Sequence, residues 1–219
     1  MDWREGVAIL LLGFISAWPP IVIHAADPDP VSDFVGDGIA ESFVLRDIFV
    51  NGDVSNTTGG VRAGLGPKFF PAQTNQGVSI TRFLIAPCGF NPPQTHPRGT
   101  EMLTLLEGGP LEVGFVDTEG QTHINILHPN DVTCFPRGMM HFTHNVGTEV
   151  ANAVSGFNSQ DPGFMLEAVG MFHLPAKVVA GAFNQSQDFV NKINQTMYAF
   201  GNHLVRSEVD GCVPGRSSL

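Results

Sequence analysis

Short apolar and alternating runs dominate the chain from about residue 34 to residue 181, separated by glycine, proline, asparagine and aspartate. This pattern is typical of an all-β sandwich or barrel with little helix. Tight reversals are predicted at Gly108-Gly109-Pro110 and Pro129-Asn130-Asp131, because these residues supply the left-handed or fixed φ that turns require. The predicted strands cover residues 77–86, 101–107, 110–116, 122–127, 131–135, 141–145 and 151–157.

The pattern changes after Pro175 to a helical period. Apolar side chains recur at steps of three and four residues across residues 176–183 and 189–200, which predicts two amphipathic helices. Such a helical tail has two alternative positions: it caps its own barrel or it clasps a neighbouring subunit.

The first 26 residues differ in kind from the rest. A short charged start precedes an apolar run over residues 7–18, which two prolines interrupt, and small residues follow at Ala25 and Ala26. Because the run is too short to span a bilayer, residues 1–26 are interpreted as a secretory signal peptide; a buried core segment is the alternative. Three acceptor sequons, at Asn56, Asn184 and Asn194, agree with export and predict N-glycosylation.

Length and charge limit the remaining classes of protein. A chain of 219 residues has the size of one β-sandwich or barrel domain. Its formal net charge of −10 gives no electrostatic surface for nucleic acid or for an anionic membrane. We therefore expect neither as a partner once the signal peptide is cleaved.

The three cysteines, Cys88, Cys134 and Cys212, are too few for a disulfide framework and form at most one bridge. Cys88 and Cys134 both lie in apolar, strand-like surroundings. Two alternatives follow: both are buried free thiols, or they are bonded to each other. No Cys-x-x-Cys pair is present, which excludes zinc ribbons and thioredoxin-type chemistry.

Four side chains have the spacing of a metal site on neighbouring strands. Residues two apart in a strand face the same way, so Gln94 and His96 point together. Glu101 can return to that side after the bend at Pro97 to Gly99, and His141 opens the next strand after a turn. Two histidines and a carboxylate form a recognised ligand set for an open-site divalent metal.

Gln94 stands where a third histidine would make a stronger cage. Its amide oxygen is a harder and weaker donor than imidazole, so metal affinity is expected to fall, or Gln94 leaves a position for water. The alternative for the whole cluster is a set of histidines satisfied by hydrogen bonds in a polar barrel mouth without metal. His144, three residues beyond His141, is predicted to face the opposite, solvent side.

These residues, with several further segments, resemble a plant germin-like protein of the cupin superfamily. The two cupin boxes correspond to residues 89–108 and 131–145. The resemblance extends through the whole chain after the signal peptide. It includes Asp27-Pro28-Asp29-Pro30, Phe49-Val50-Asn51-Gly52, Asn91-Pro92-Pro93, Phe135-Pro136-Arg137-Gly138 and Ser159-Gln160-Asp161-Pro162-Gly163.

The resemblance implies an all-β jelly-roll β-barrel (cupin) with a short C-terminal helical region. It further implies a glycosylated protein, secreted to the apoplast, that binds manganese and assembles as a homo-oligomeric hexamer, a trimer of dimers. The domain organisation expected on this basis is a signal peptide over 1–26, an N-terminal extension packing on the barrel over 27–70, the barrel core over 71–175 and a helical clasp and tail over 176–219.

The implied site residues can be placed one by one. The family's metal ligands fall on Gln94, His96, Glu101 and His141, so the first histidine is missing. The family's active-site asparagine is Asn91, which is the candidate catalytic residue.

Two further departures from the family pattern concern its activity and its N-terminal segment. A second asparagine of oxalate-oxidising members is replaced by Thr81, which argues against oxalate as substrate. The cysteines of the family's N-terminal disulfide would fall near Val35 and residues 52–54, where none is present. The extension is therefore expected to be held by packing alone.

Two functions remain open at this point. One is a secreted manganese-dependent oxidoreductase of superoxide dismutase or oxidase type. The other is a catalytically degenerate germin-like protein that keeps the scaffold as a binding, defence-related or cell-wall protein without bound metal.

Overall fold

The computed structural model of the protein describes residues 27–197, 204–206 and 212–215. The predicted signal peptide and the last three residues of the second predicted helix lie outside the described residues. All strand pairings given below are antiparallel.

Strands dominate the described residues and form one sheet of ten strands. In chain order the strands are β1 (Asp53–Thr57), β2 (Gly60–Gly64), β3 (Ser79–Ile85), β4 (Gly89–Thr95), β5 (Glu101–Val116), β6 (Thr122–Leu127), β7 (Val132–Phe135), β8 (Met140–Phe157), β9 (Met165–Leu166) and β10 (Val205–Arg206). The all-β prediction is confirmed. The β1–β2 hairpin is absent from the predicted strands because its sequence lacks a long apolar run.

Two long strands organise the sheet. The predicted strands at 101–107 and 110–116 are one strand, β5, and those at 141–145 and 151–157 are one strand, β8. β5 and β8 pair along their length, with register shifts between Leu105 and Leu111 around Gly108-Gly109-Pro110. On its other edge β8 pairs with β4 near His141 and with β3 over its second half. The sheet therefore bends midway and curls around an interior.

Alternation along the strands divides this interior into an apolar and a polar part. The main core cluster consists of buried apolar side chains from several strands: Phe83, Ile85, Leu103, Leu105, Leu111, Val113, Leu127, Phe135, Ala151, Ala153 and Leu204. Glu101, two residues before Leu103, lies on the same inward face and is 2% exposed. Thr81 and Ser155 are likewise buried where an apolar residue would be expected. The polar side chains thus gather at one end of the barrel interior.

Helices are short and mostly C-terminal. They are α1 (Ile48–Asn51), α2 (Glu167–Phe172), α3 (Ala176–Phe183) and α4 (Gln187–Met197), with 3₁₀ turns at Ala40–Phe43 and Pro71–Gln73. α3 has the predicted bounds and α4 confirms the second helix, while α2 is an addition. A small separate core of Val179, Ala180 and Val190 joins α3 to α4. None of the described helices is long and apolar enough to cross a membrane.

The cysteine expectation needs a correction. Cys88 is bonded to Cys212, with an S–S distance of 2.09 Å and a Cα–Cα distance of 5.8 Å. Cys134 is free and exposed, so both alternatives for Cys88 and Cys134 are wrong. The reason is the alternation of β7, which turns Phe135 inward and the neighbouring Cys134 outward.

The N-terminal extension is not held by packing alone. The Asp27 carboxylate accepts hydrogen bonds from the Ser159 hydroxyl at 2.9 Å and from the backbone N–H of Gln160 at 2.6 Å. Gln76 donates a further bond to the carbonyl of Asp33 at 3.4 Å. β1 and β2 continue the sheet through pairing of β2 with β3.

Candidate metal centre

Three buried side chains converge at the polar end of the barrel. The Oε2 atom of Glu101 lies 3.1 Å from Nε2 of His96 and 3.3 Å from Nε2 of His141. One ligand atom from each residue lies within 4.8 Å of the others. His96 follows the end of β4, Glu101 begins β5 and His141 is the second residue of β8. Strands distant in sequence thus bring together the His2Glu set that the spacing predicts.

The other nitrogen of each histidine fixes the tautomer. His96 Nδ1 lies 2.5 Å from the carbonyl oxygen of Gly163, and His141 Nδ1 lies 2.9 Å from that of Met139. A carbonyl only accepts, so each Nδ1 carries the proton and donates it. In the neutral rings both Nε2 lone pairs then face Glu101 Oε2, which is itself an acceptor.

Such a meeting of acceptors requires a positive charge between them. Burial of the Glu101 carboxyl favours its neutral form, but hydrogen bonds from His141 and His96, with their positive charges, outweigh burial and lower its pKa to about 2. These bonds exist only when the rings carry a second proton. A divalent cation would replace those protons, and the carboxylate stays ionised in either case. The residues present therefore fit a metal ion.

A further hydrogen bond holds the carboxylate in place. The Ser155 hydroxyl donates to Glu101 Oε1 at 2.5 Å, which leaves Oε2 to face the histidines. Within the described part of the chain Oε2 has no hydrogen-bond donor other than protonated histidine. Ser155, fully buried on β8, thus fixes the orientation of the Glu101 carboxylate through this hydrogen bond.

Gln94 is buried beside this cluster, at 4% exposure, and is paired with His141 across β4 and β8. Its Nε2 lies 3.4 Å from Nε2 of His141, while its buried Oε1 has no partner among the described residues. In this orientation the amide donates toward the lone pair that a metal would use. Rotation of the amide by half a turn would present Oε1 instead and add a fourth acceptor.

A cavity of about 370 Å³ opens beside the cluster. Asn91, 2% exposed, lines it, and its Oδ1 has no hydrogen-bond partner among the described residues. Further buried polar residues of this wall are Ser79, Thr81, Gln94 and His96, and Arg62 and Lys68 lie among the lining residues nearer solvent. The apolar walls are formed by Leu65, Phe69, Phe83, Phe157 and Phe164. The cavity gives a small molecule access to the candidate metal position.

His144 does not join the cluster. It lies on the other face of β8, half-buried, with Nδ1 3.6 Å from Oε2 of Glu112. Its Nε2 lies 3.7 Å from the sulfur of Cys212. The outward orientation is as predicted from the strand period, but Glu112 and the disulfide cover part of the ring.

The sequon asparagines lie far from the cluster in the chain. Asn56 on β1 and Asn184 after α3 are exposed, whereas Asn194 within α4 is half-buried. Their glycosylation stays a prediction.

The residues that orient the site are those that sequence reasoning missed. Gly163 and Met139 act through backbone carbonyls, which carry no residue signature. Ser155 is one serine among many. The available signal for Gly163 was the Asp-Pro-Gly turn that contains it, where φ is +73°.

Comparison with known proteins identifies the family and the fold. The family model described as Cupin matches residues 47–191. Germin-like protein 5-1 of Oryza sativa subsp. japonica is 35% identical over 211 residues, covering 87% of this chain and 93% of that protein. The rhicadhesin receptor of Pisum sativum is 37% identical over 158 residues, covering 70% and 72%. An oxalate oxidase solved with the substrate analogue glycolate superposes with a TM-score of 0.70 at 28% identity, covering 80% of this chain and 100% of that one.

Proposed function

The chain belongs to the germin-like proteins of the cupin family, and on this basis we propose that it is a secreted, metal-dependent oxidoreductase of superoxide dismutase or oxidase type. In this proposal His96, Glu101 and His141 hold the metal, which is manganese. The family relation, together with a ligand set of nitrogen and oxygen without sulfur, supports that metal.

One observation carries the proposal: the lone pairs of two histidines and one carboxylate meet at a buried point. Two backbone carbonyls and one hydroxyl fix all three ligands before any ion arrives. Such preorganisation is typical of a metal site, because second-shell hydrogen bonds set ligand orientation and basicity. Histidines held only for structure would not require both Nε2 atoms to face a carboxylate.

The metal, when bound, supplies the redox chemistry. The chain contributes the rest: its apolar walls exclude water, and Asn91 offers a buried amide to hold and orient a substrate beside the site. Oxalate is not proposed as the substrate, because Thr81 occupies the cavity wall where the resemblance places a second asparagine.

The position of Gln94 favours a second candidate function. Its amide donates toward His141 Nε2 and so competes with a metal for that lone pair. A chain that keeps this arrangement would be a germin-like binding or defence protein of the cell wall without bound metal. The two functions differ in one property, metal occupancy, which depends on the orientation of one amide.

Metal analysis of the secreted, purified protein separates these functions. We expect about one manganese per chain in the parent, and tighter binding in the Gln94→His variant, because imidazole replaces an amide oxygen. Superoxide and oxalate consumption are assayed in both, with activity expected on superoxide. A parent that is metal-free under manganese-replete expression, with a Gln94→His variant that gains the metal, would establish the degenerate function.

Oligomerisation and secretion belong to the same proposal. Large apolar side chains are exposed in the N-terminal extension and on the C-terminal helices, among them Phe34, Phe43, Val178, Phe183 and Phe189. They support association with further subunits, since apolar surface of this kind needs a covering partner, and the family resemblance suggests a hexamer. Light scattering on the secreted protein tests the mass, and N-terminal sequencing tests cleavage near Asp27. A monomer of unprocessed length would contradict both.

A further inference from the structure

We infer that Asp27 is a positioning residue for His96, acting through the loop formed by residues 159–163. The inference rests on the proposed metal site, since it concerns how one of its ligands is oriented. It assigns a role in the site to the residue that directly follows the predicted signal peptide.

The first step is the tie between Asp27 and the start of the loop. One carboxylate oxygen accepts from the Ser159 hydroxyl at 2.9 Å and the other from the Gln160 N–H at 2.6 Å. Ser159 is fully buried, and its oxygen in turn accepts from the Asp161 N–H at 3.1 Å. A single carboxylate therefore satisfies polar groups of two consecutive loop residues and, through Ser159, orders a third.

The second step is the path from the loop to the ligand. The carbonyl of Gly163, at the end of this loop, accepts from His96 Nδ1 at 2.5 Å. The loop packs closely on the segment after His96: a Cβ on Gly163 would lie 3.0 Å from the Pro97 side chain, and one on Gly99 would lie 2.8 Å from Pro162. A loop packed this tightly transmits a displacement to the Gly163 carbonyl.

Other contacts hold the loop, but Asp27 differs from them in kind. Arg98 binds Asp161 through an ion pair at 2.8 Å, and both side chains are largely exposed, so water competes for that contact. Ser79 donates to the Ser159 carbonyl at 2.7 Å. Ser79 and Asn75 also reach the loop from distant segments, and Asp27 adds a contact from the start of the N-terminal extension, 132 residues away in the chain. The N-terminal extension is thereby connected to the site.

The test compares the metal-free parent with Asp27→Ala, Asp27→Asn and the control Asp29→Ala, whose side chain is exposed two residues further on. Crystal structures give the distance from His96 Nδ1 to the Gly163 oxygen. Cobalt titration gives metal affinity and, through the visible spectrum, ligand geometry. Asp27→Asn keeps one acceptor oxygen for Ser159, and it provides the test of the inference if Asp27→Ala does not fold.

We expect the distance to lengthen beyond hydrogen-bond range in Asp27→Ala. The affinity for cobalt should fall about 10-fold, which is the lower end of the range expected when a metal ligand loses a hydrogen-bond partner. The visible spectrum should change as well. The distance and the cobalt affinity of Asp27→Asn should lie between those of Asp27→Ala and the parent. Both quantities in Asp29→Ala should match the parent. An unchanged distance, or a lengthened distance with unchanged affinity, would overturn the inference even if thermal stability falls. If the parent binds no metal, the proposed function fails, and the distance in the metal-free crystals still decides the role of Asp27.

Discussion

The two histidines of the site present the same atom to the same carboxylate oxygen, yet they are oriented from very different places. His141 donates from Nδ1 to the carbonyl of Met139, two residues earlier, within the turn that opens β8. His96 donates to the carbonyl of Gly163, 67 residues later. One orientation is a local property of a turn. The other exists only after the loop at residues 159–163 has docked.

This difference implies that the two ligands respond differently to mutation. The turn before His141 is closed by a hydrogen bond from the Met139 N–H to the Pro136 carbonyl at 3.1 Å, and its Gly138 N–H donates to the backbone carbonyl of His96, also at 3.1 Å. The support of His96 depends on tertiary contacts that the loop makes with Asp27 and Arg98. We therefore expect a displacement of the loop to weaken metal binding through His96 more than a comparable change in the turn weakens it through His141.

The largest effect is expected where both ligands depend on the same group. Glu101→Gln removes the charge that His96 and His141 share, and its amide would donate to the lone pairs that a metal needs. Divalent metal affinity, measured by calorimetry, should fall by more than the roughly 10–100-fold that a lost second-shell partner costs. Glu112→Gln is the matched control, because Glu112 lies on the same strand and is similarly buried, at 3% exposure. Equal losses of metal affinity in Glu101→Gln and Glu112→Gln would contradict the assignment of Glu101 as a metal ligand.

The next largest effect on metal affinity should distinguish the support of His96 from that of His141. Gly163→Ala adds a Cβ that would meet Pro97 and Arg98 at 3.0–3.1 Å at a φ of +73°, so the loop and its carbonyl must shift. We expect metal affinity to fall about 10-fold. Gly138→Ala is the control in the turn before His141: its φ is +75° and its Cβ would meet nothing within 4 Å.

Both alanines carry a similar backbone cost of about 1 kcal/mol. A difference in metal affinity between the two variants therefore measures the effect of displacing the loop at residues 159–163. If Gly138→Ala weakened binding as much as Gly163→Ala, the contrast between local and tertiary support would be wrong. Unfolding in urea gives the stability of each variant independently of metal.

The convergence of the three candidate ligands was predictable from the sequence, whereas the groups that orient them were not. The strand period and the turn signals placed His96, Glu101 and His141 on converging strands, and they put His144 on the outer face. The rule that alternate residues of a strand face the same way was harder to apply to Gln94. Pro92 and Pro93 lack the N–H for regular pairing, and the register of β4 shifts between Asn91 and Gln94. The Gly163 carbonyl that accepts from His96, the orientation of the Gln94 amide and the Asp27 tie depend on contacts distant in sequence, which residue patterns do not encode.

The disulfide illustrates the same limit. Cys88 and Cys212 are 124 residues apart, and nothing in their local sequence selects that pair over the one with Cys134. The apolar context of Cys134 indicated burial, but in a four-residue strand the face that turns inward is set by the register with β5. Burial within a strand is thus predictable only once its partner is known.

The smallest effect on the site is expected from Cys212→Ser. The bridge is attached at Cys88, just before β4, whereas His96 lies just after that strand ends, eight residues later and at most about 26 Å away along extended chain. The free energy of unfolding should fall by about 2–5 kcal/mol, because the bridge constrains a long loop in the unfolded chain. Metal affinity should change less than about threefold, below the roughly tenfold loss expected for a second-shell partner, because the loop at residues 159–163 supports His96 without the bridge. Cys134→Ser, which removes an exposed free thiol, is the control for both measurements. A loss of affinity in Cys212→Ser as large as that in Gly163→Ala would show that the strand, and not the loop, positions His96.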